Sequence, residues 1–281
     1  MFKHRNGIYM KLVKLFPSPG RGNVVLEGYI PELALFPNGV RVLPAILILP
    51  GGAYRFVSPG EGEEVALRFC GEGYACFVLK YSVGDDAGFP KPLEDASRSM
   101  WMIRQHAEEW HIDPKRVAVM GFSAGAHLGT ALATMWHYPE LQSEDMPEGG
   151  NRPDACVFGY TPTTFEGFEE KAKKDGMPFV PGQHLNVLGE GRFADITSLT
   201  THKLVDKRTP PAFLWKTNLC YPESTFLYAE ALKEAGVPYE VHVFTDTKRA
   251  GGLCNRGGYA ANTQMWVQMA LNWLAMVMGE Q

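Results

Sequence analysis

The chain has 281 residues, of which 45% are hydrophobic and 21% are charged, and its formal net charge is −4. This length is enough for one large domain with a sizeable core. The slightly acidic balance, with no basic tract, excludes nucleic acid as an expected partner. No run approaches the ~20 consecutive apolar residues of a membrane span, so we expect no membrane association.

The N-terminus and the cysteines favour a cytoplasmic protein. The charged start at Met1 has no apolar core behind it, which predicts no signal peptide. Both Met1 and Met10 remain open as the native start. The cysteines are odd in number and their spacing fits no metal motif, so we expect a reducing compartment, no metal and no cofactor. They are Cys70, Cys76, Cys156, Cys220 and Cys254.

Apolar strand-like runs alternate with helix-like runs along the chain. The predicted strands cover residues 9–16, 24–31, 43–50, 74–81, 116–120, 154–160, 212–215 and 239–244. The predicted helices cover residues 61–72, 95–110, 126–135, 223–235 and 263–278. We expect Asp113-Pro114 to break the chain before the fifth strand. Continuous apolar strands that alternate with helices predict an α/β fold, with a mostly parallel sheet covered by helices on both faces.

Residues 161–209 depart from this alternation. The segment is rich in Gly, Pro, Thr and charged residues, and it lies between two predicted core strands. We interpret it as a small cap-like insertion over the carboxyl ends of the strands, where such sheets bind ligands. The whole chain, residues 1–281, is then a single domain.

Gly121-Phe122-Ser123-Ala124-Gly125 is the most informative motif. It follows an apolar, β-branched run and precedes a helical run. A serine between glycines on a strand-to-helix turn is typical of a nucleophile elbow, where larger neighbours would collide. Ser123 is therefore the candidate nucleophile. The amide of the residue after it, Ala124, is a candidate oxyanion donor, because it opens the following helix.

A second Gly-rich segment, Pro50-Gly51-Gly52-Ala53-Tyr54, leaves a predicted buried strand earlier in the chain. Its small residues allow a substrate carbonyl to approach the backbone, where N–H groups stabilise developing negative charge. An ordinary Gly-Gly turn is the alternative. We assign Gly52 and Ala53 as the other oxyanion donors and Tyr54 as a possible pocket residue.

Five stretches carry a resemblance to a known family. The chain resembles α/β-hydrolases of the bacterial esterase/lipase group, which includes acetyl xylan and feruloyl esterase-like proteins. The resemblance implies hydrolysis of short-chain carboxylic esters by Ser123, with acetylated sugars among the substrates. The matching stretches are residues 49–54, 92–97, 112–128, 210–215 and 231–244.

The residues that should activate Ser123 depart from that pattern. The expected order is Ser, then Asp or Glu, then His. The acid position, after the strand ending at 215, falls on Asn218, Leu219 or Cys220. The histidine position, after the strand ending at 244, falls on Arg249, which is always protonated and cannot accept the serine proton.

Other residues offer replacements. His202 or His184 of the insertion could be the base, with Glu223 or Asp246 as its orienting acid. His127 lies one helical turn past Ser123 and is expected to be structural, and His242 lies within a strand. His202 and Arg249 are further possible pocket residues. Two hypotheses follow, both with a small ester or sugar-derived ligand: an impaired serine esterase, or a non-catalytic hydrolase-fold protein that binds its ligand at the former active site. Nothing in the sequence indicates the oligomeric state.

Overall fold

The computed structural model describes residues 9–32, 42–174, 181–220 and 222–279, so Met1 and His4 lie outside the described residues. Eight strands in these ranges form one sheet in the order β1-β2-β4-β3-β5-β6-β7-β8. The two pairings made by β2 are antiparallel and the other five are parallel, so the sheet is mostly parallel as predicted. The strands are β1 Tyr9–Leu15, β2 Val25–Glu32, β3 Leu43–Leu49, β4 Ala75–Lys80, β5 Ile112–Phe122, β6 Ala155–Gly159, β7 Ala212–Thr217 and β8 Tyr239–Phe244.

Helices cover both faces of this sheet. Because side chains alternate between the faces of a strand, Leu47 packs into one core and Ile46 into the other. Residues of α2, α4 and α6 complete the first core, and residues of α1 and α8 complete the second. The α-helices are α1 Glu63–Cys70, α2 Lys91–Gln105, α3 Ala107–Trp110, α4 Ala124–Met135, α5 Phe168–Lys174, α6 Pro222–Glu234, α7 Ala261–Gln264 and α8 Trp266–Met278.

Two predicted boundaries are wrong. The helix expected over 95–110 begins at Lys91, because Pro92 is tolerated in a first turn, and it is interrupted at His106. The break expected at Asp113-Pro114 lies inside β5. There the pairing with β3 jumps from Ile112 to Val117, and proline needs no ladder hydrogen bond within such a bulge.

Among its described residues, the segment between β6 and β7 contains α5 and four short 3-10 turns. Its last turn packs on α4, since Thr201 and Thr130 share a hydrogen bond of 2.9 Å between their hydroxyl groups. The insertion is thus attached to the helix that follows Ser123. Within the described ranges, no helix has both the length and the apolar character needed to cross a membrane.

Candidate active site

Ser123 stands between β5 and α4 with backbone angles φ 53° and ψ −121°. Positive φ is costly for a residue with a side chain, and it marks a backbone held in place by its surroundings. The flanking glycines are required by close packing. A Cβ on Gly121 would lie 2.4 Å from the Gly125 carbonyl oxygen, and one on Gly125 would lie 2.0 Å from that of Leu49. The sharp strand-to-helix turn expected from the motif is therefore present.

The segment Gly51–Tyr54 lies beside Ser123. A Cβ on Gly51 would lie 3.0 Å from Ser123 Cβ. Gly52, Ala53 and Tyr54 have φ values of 128°, 54° and 57°, three consecutive residues in a sparsely populated region. Gly52 must be glycine, because a Cβ there would lie 1.9 Å from the Phe56 carbonyl oxygen. The sequence prediction had placed two oxyanion donors in this segment.

The first amide of this segment is already used. Gly51 N–H donates to Glu61 Oε2 at 2.7 Å, so it does not point into the space above Ser123. Gly52 and Ala53 remain the candidate donors of the segment, together with the amide of Ala124, which has no partner within its own helix. The assignment of these three amides as oxyanion donors stays a prediction.

Tyr54, the last residue of the segment, forms a buried hydrogen bond with His127 of α4. The Tyr54 hydroxyl lies 2.8 Å from His127 Nδ1, and His127 Nε2 lies 2.9 Å from the Leu199 carbonyl oxygen. Since that carbonyl can only accept, Nε2 carries the proton, and Tyr54 donates to Nδ1. Burial lowers the pKa of His127 to about 4. His127 is structural, as expected, and the Tyr54 side chain faces the core rather than an open pocket.

The remaining candidate histidines have other partners. His202 Nδ1 lies 2.9 Å from Thr163 Oγ1, and burial lowers the pKa of His202. His184 Nδ1 lies 3.7 Å from Glu169 Oε1, and His242 pairs with Glu240 on β8. In the part of the chain that the structure describes, no histidine is hydrogen-bonded to Ser123 Oγ.

The three residues at the expected acid position belong to the turn after β7. Asn218 Oδ1 accepts a hydrogen bond from Asp246 N–H at 2.8 Å, and the Leu219 side chain is exposed. Cys220 is buried, and its Sγ accepts from Ala250 N–H at 3.2 Å. Glu223, the nearest acid in the sequence, forms an ion pair with Lys171 of α5. No carboxylate of this turn is directed at a histidine within the described ranges.

Asp246 organises the segment after β8. Its Oδ2 accepts from Thr263 Oγ1 at 2.6 Å and from Ala260 N–H at 2.9 Å, and its Oδ1 accepts from Lys248 N–H at 3.1 Å. These donors, led by Thr263, lower its pKa. Arg249, at the expected histidine position, has an exposed side chain, and its carbonyl accepts from the Tyr259 hydroxyl at 2.8 Å.

The sequence predicts Glu61 only as the start of a helix. In the structure, Glu61 ends a 3-10 turn before α1, and its Oε2 accepts a hydrogen bond from Gly51 N–H. Burial raises the pKa of Glu61, although Tyr160, Gly51 and Ser58 hydrogen-bond to it and oppose that shift. No local pattern marks such a residue, because one of its partners, Tyr160, comes from a distant part of the chain. In the described ranges, no three His, Cys, Asp or Glu side chains form a group suited to a metal ion.

Comparisons with known proteins agree with this architecture. The chain matches the BD-FAE family model over residues 32–219. It is 31% identical over 224 residues to endo-1,4-beta-xylanase B of Butyrivibrio fibrisolvens, a match that covers 77% of this chain and 34% of that protein. The acetyl ester-xyloside bifunctional hydrolase of Caldicellulosiruptor lactoaceticus superposes with a TM-score of 0.75 at 29% identity, over 98% of this chain and 94% of that one. The carboxylesterase Cest-2923 of Lactobacillus plantarum shares the fold, with a TM-score of 0.80 at 21% identity over 98% of this chain and 100% of that one.

The sheet, its helices and these relatives define an α/β-hydrolase of the esterase group, which confirms the fold and the resemblance inferred from the sequence. Within that class, the chain belongs to the BD-FAE family. It spans about a third of the length of the xylanase it matches. The family match ends at residue 219, so Arg249 and the segment after β8 lie beyond it.

Proposed function

We propose that this protein is an impaired serine esterase, which binds short-chain carboxylic esters at Ser123 and hydrolyses them slowly. One observation carries the proposal: the elbow and the Gly52–Ala53 segment are in place, while no described histidine is hydrogen-bonded to Ser123. A serine hydroxyl is a weak nucleophile near neutral pH unless a neighbouring base takes its proton.

The expected loss is large. Removing the serine or the histidine of a triad costs about 10⁶-fold in kcat, while the oxyanion hole and binding together retain about 10³–10⁴-fold over water. A site with donors but no base therefore keeps affinity for the carbonyl group and loses most of its turnover. Acylated sugars are the substrate class we favour, since relatives include a protein described as an acetyl ester-xyloside hydrolase.

A non-catalytic binding protein is the second candidate. It is favoured by the side chains that stand where the triad acid and histidine are expected. Asn218 accepts from Asp246 N–H, and the Arg249 guanidinium is a permanent cation that suits a carboxylate or another anion on the ligand. This candidate predicts ligand binding with no contribution of Ser123 to ester turnover.

Turnover of p-nitrophenyl acetate by the protein and by its Ser123→Ala variant separates the two candidates. For the impaired esterase we expect a small but measurable Ser123-dependent rate above that of the variant. Equal rates would favour the binding protein. A rate thousands of times above the variant would contradict both candidates, because it requires an activated serine.

Restoring the missing groups gives a complementary experiment. The double variant Asn218→Asp, Arg249→His places a carboxylate and an imidazole at the two positions expected from the family. We expect the Ser123-dependent rate to rise by at least about 10-fold, since general base catalysis contributes about 10²–10⁴-fold when fully aligned. The single variants provide the controls, because neither alone supplies an oriented base.

A further inference from the structure

Glu61 connects three separate segments around the candidate site. Its Oε2 accepts from Gly51 N–H at 2.7 Å, and its Oε1 accepts from the Tyr160 hydroxyl. Tyr160 follows β6, is buried, and accepts in turn from Gly252 N–H at 2.8 Å. The carboxylate therefore joins the segment after β3 to the residues that follow β6 and β8.

Ser123 lies directly beside this cluster. The position that a Cβ would take on Gly51 is 2.7 Å from Glu61 Oε2 and 3.0 Å from Ser123 Cβ. The Glu61 carboxylate and the Ser123 side chain therefore both lie against Gly51. A shift of Gly51 away from Glu61 would move the Gly52–Ala53 amides relative to Ser123.

The segment after β8 packs on the same turn. Gly252 has a φ of 50°, and a Cβ there would lie 2.5 Å from the Gly60 carbonyl oxygen and 3.7 Å from Glu61 Cγ. Its amide needs an acceptor at this buried place, and the Tyr160 hydroxyl is that acceptor. A chain of hydrogen bonds therefore runs from Gly252 N–H through the Tyr160 hydroxyl to the Glu61 carboxylate.

We propose that Glu61 is a positioning residue of the candidate site, which fixes the Gly52–Ala53 segment through the Gly51 amide while Tyr160 holds the carboxylate in place. An effect of Glu61 on ester hydrolysis rests on the proposed function. Its mechanical role, which is to hold the Gly51 backbone in place, does not. A buried carboxylate is costly unless its lone pairs are used, and three donors use them here. These hydrogen bonds account for a buried carboxylate at this place beside Ser123.

Amide hydrogen exchange tests the mechanical role without any ester. In Glu61→Ala, we expect amides of residues 51–58 to exchange at least about 10-fold faster, since the charge-assisted hydrogen bond that holds the Gly51 amide is lost. Glu61→Gln keeps one acceptor oxygen and should recover part of the protection. The control is Glu72→Gln. Glu72 is exposed, follows the end of α1 and forms an ion pair with Arg68 of that helix.

Tyr160→Phe decides the question if the alanine variant does not fold. It keeps the ring packing on Trp215 and removes only the hydroxyl, so the Gly252 amide should exchange faster and the Gly51 amide should follow in the same direction. Unchanged exchange at Gly51 in the folded Glu61 and Tyr160 variants would overturn the proposal.

The residual Ser123-dependent rate with p-nitrophenyl acetate then tests the link to chemistry. We expect it to fall in Glu61→Ala, with partial rescue in Glu61→Gln and no change in Glu72→Gln. Faster exchange in a protein that shows no Ser123-dependent rate at all would support the positioning role and refute the proposed esterase. Faster exchange with an unchanged Ser123-dependent rate would refute the link to chemistry.

Discussion

Ser123 carries an alcohol that is almost wholly protonated near neutral pH, so its chemistry depends on the side chains around it. The nearest histidine along the chain, His127, is fully buried and uses both ring nitrogens for Tyr54 and Leu199. The nearby carboxylate, Glu61, binds the Gly51 amide. At the scale of single residues, the groups that could take a proton are committed to holding backbone and core in place.

His127 gives a prediction about pH and stability. Its pKa is lowered by burial to about 4 from a usual value of 6.5, so between these values the unfolded chain binds a proton that the folded protein does not. Stability must therefore fall as the pH drops through this window, by up to about 3 kcal/mol for this group. Urea unfolding of the wild type and of His127→Gln at several pH values isolates the effect. Parallel pH dependences for the two proteins would show that His127 titrates normally.

The residue scale also shows what could be predicted from the sequence. Ser123 and the Gly51–Ala53 segment were found because each motif is contiguous and requires small residues at fixed positions. The role of Glu61 could not be predicted, because Tyr160, which donates to its second oxygen, lies 99 positions along the chain. The bonds of Asp246 to Ala260 and Thr263 were equally hidden, since nothing in the sequence shows which loop folds back on an acid.

At the scale of elements, the junction of β5 and α4 is the most tightly constrained part of the site. The backbone of α4 at Gly125 passes so close to the end of β3 that no side chain fits between them. The crossing therefore sets the height of Ser123 above the sheet. The types of the elements could be predicted because each apolar run is local in the sequence. Their ends could not, since the bulge in β5, for example, depends on the pairing of β5 with β3.

Gly125→Ala tests this constraint. A new Cβ would lie 2.0 Å from the Leu49 carbonyl oxygen, so the strand or the helix must move. We expect a loss of about 3 kcal/mol in the free energy of unfolding, at the upper end of overpacking costs. Gly22→Ala is the matched control, because a Cβ there meets nothing within 4 Å and its backbone needs no positive φ. Equal stabilities for the two variants in chemical denaturation would contradict the close crossing.

At the scale of the whole molecule, an α/β-hydrolase fold surrounds Ser123, and we propose that Asn218 and Arg249 stand where the activating acid and histidine are expected. The fold was predictable because strands buried on both faces and alternating helices leave few possible architectures. The activity could not be predicted from the fold, since one fold can carry different chemistries. The segment between β6 and β7 is attached to α4 through the hydrogen bond between Thr201 and Thr130, and the segment after β8 is attached to Tyr160 through Gly252 N–H.

Labelling of Ser123 by a fluorophosphonate tests the central claim most directly, because the probe reacts with serine in proportion to its activation. The measurement is intact-protein mass after incubation near neutral pH, with Ser123→Ala as the control. We expect slow and incomplete adduct formation on the wild type, only modestly above the variant, because no described histidine is hydrogen-bonded to Ser123. Rapid, stoichiometric labelling that disappears in Ser123→Ala would contradict it, and would require a base for Ser123 that this arrangement of residues does not supply.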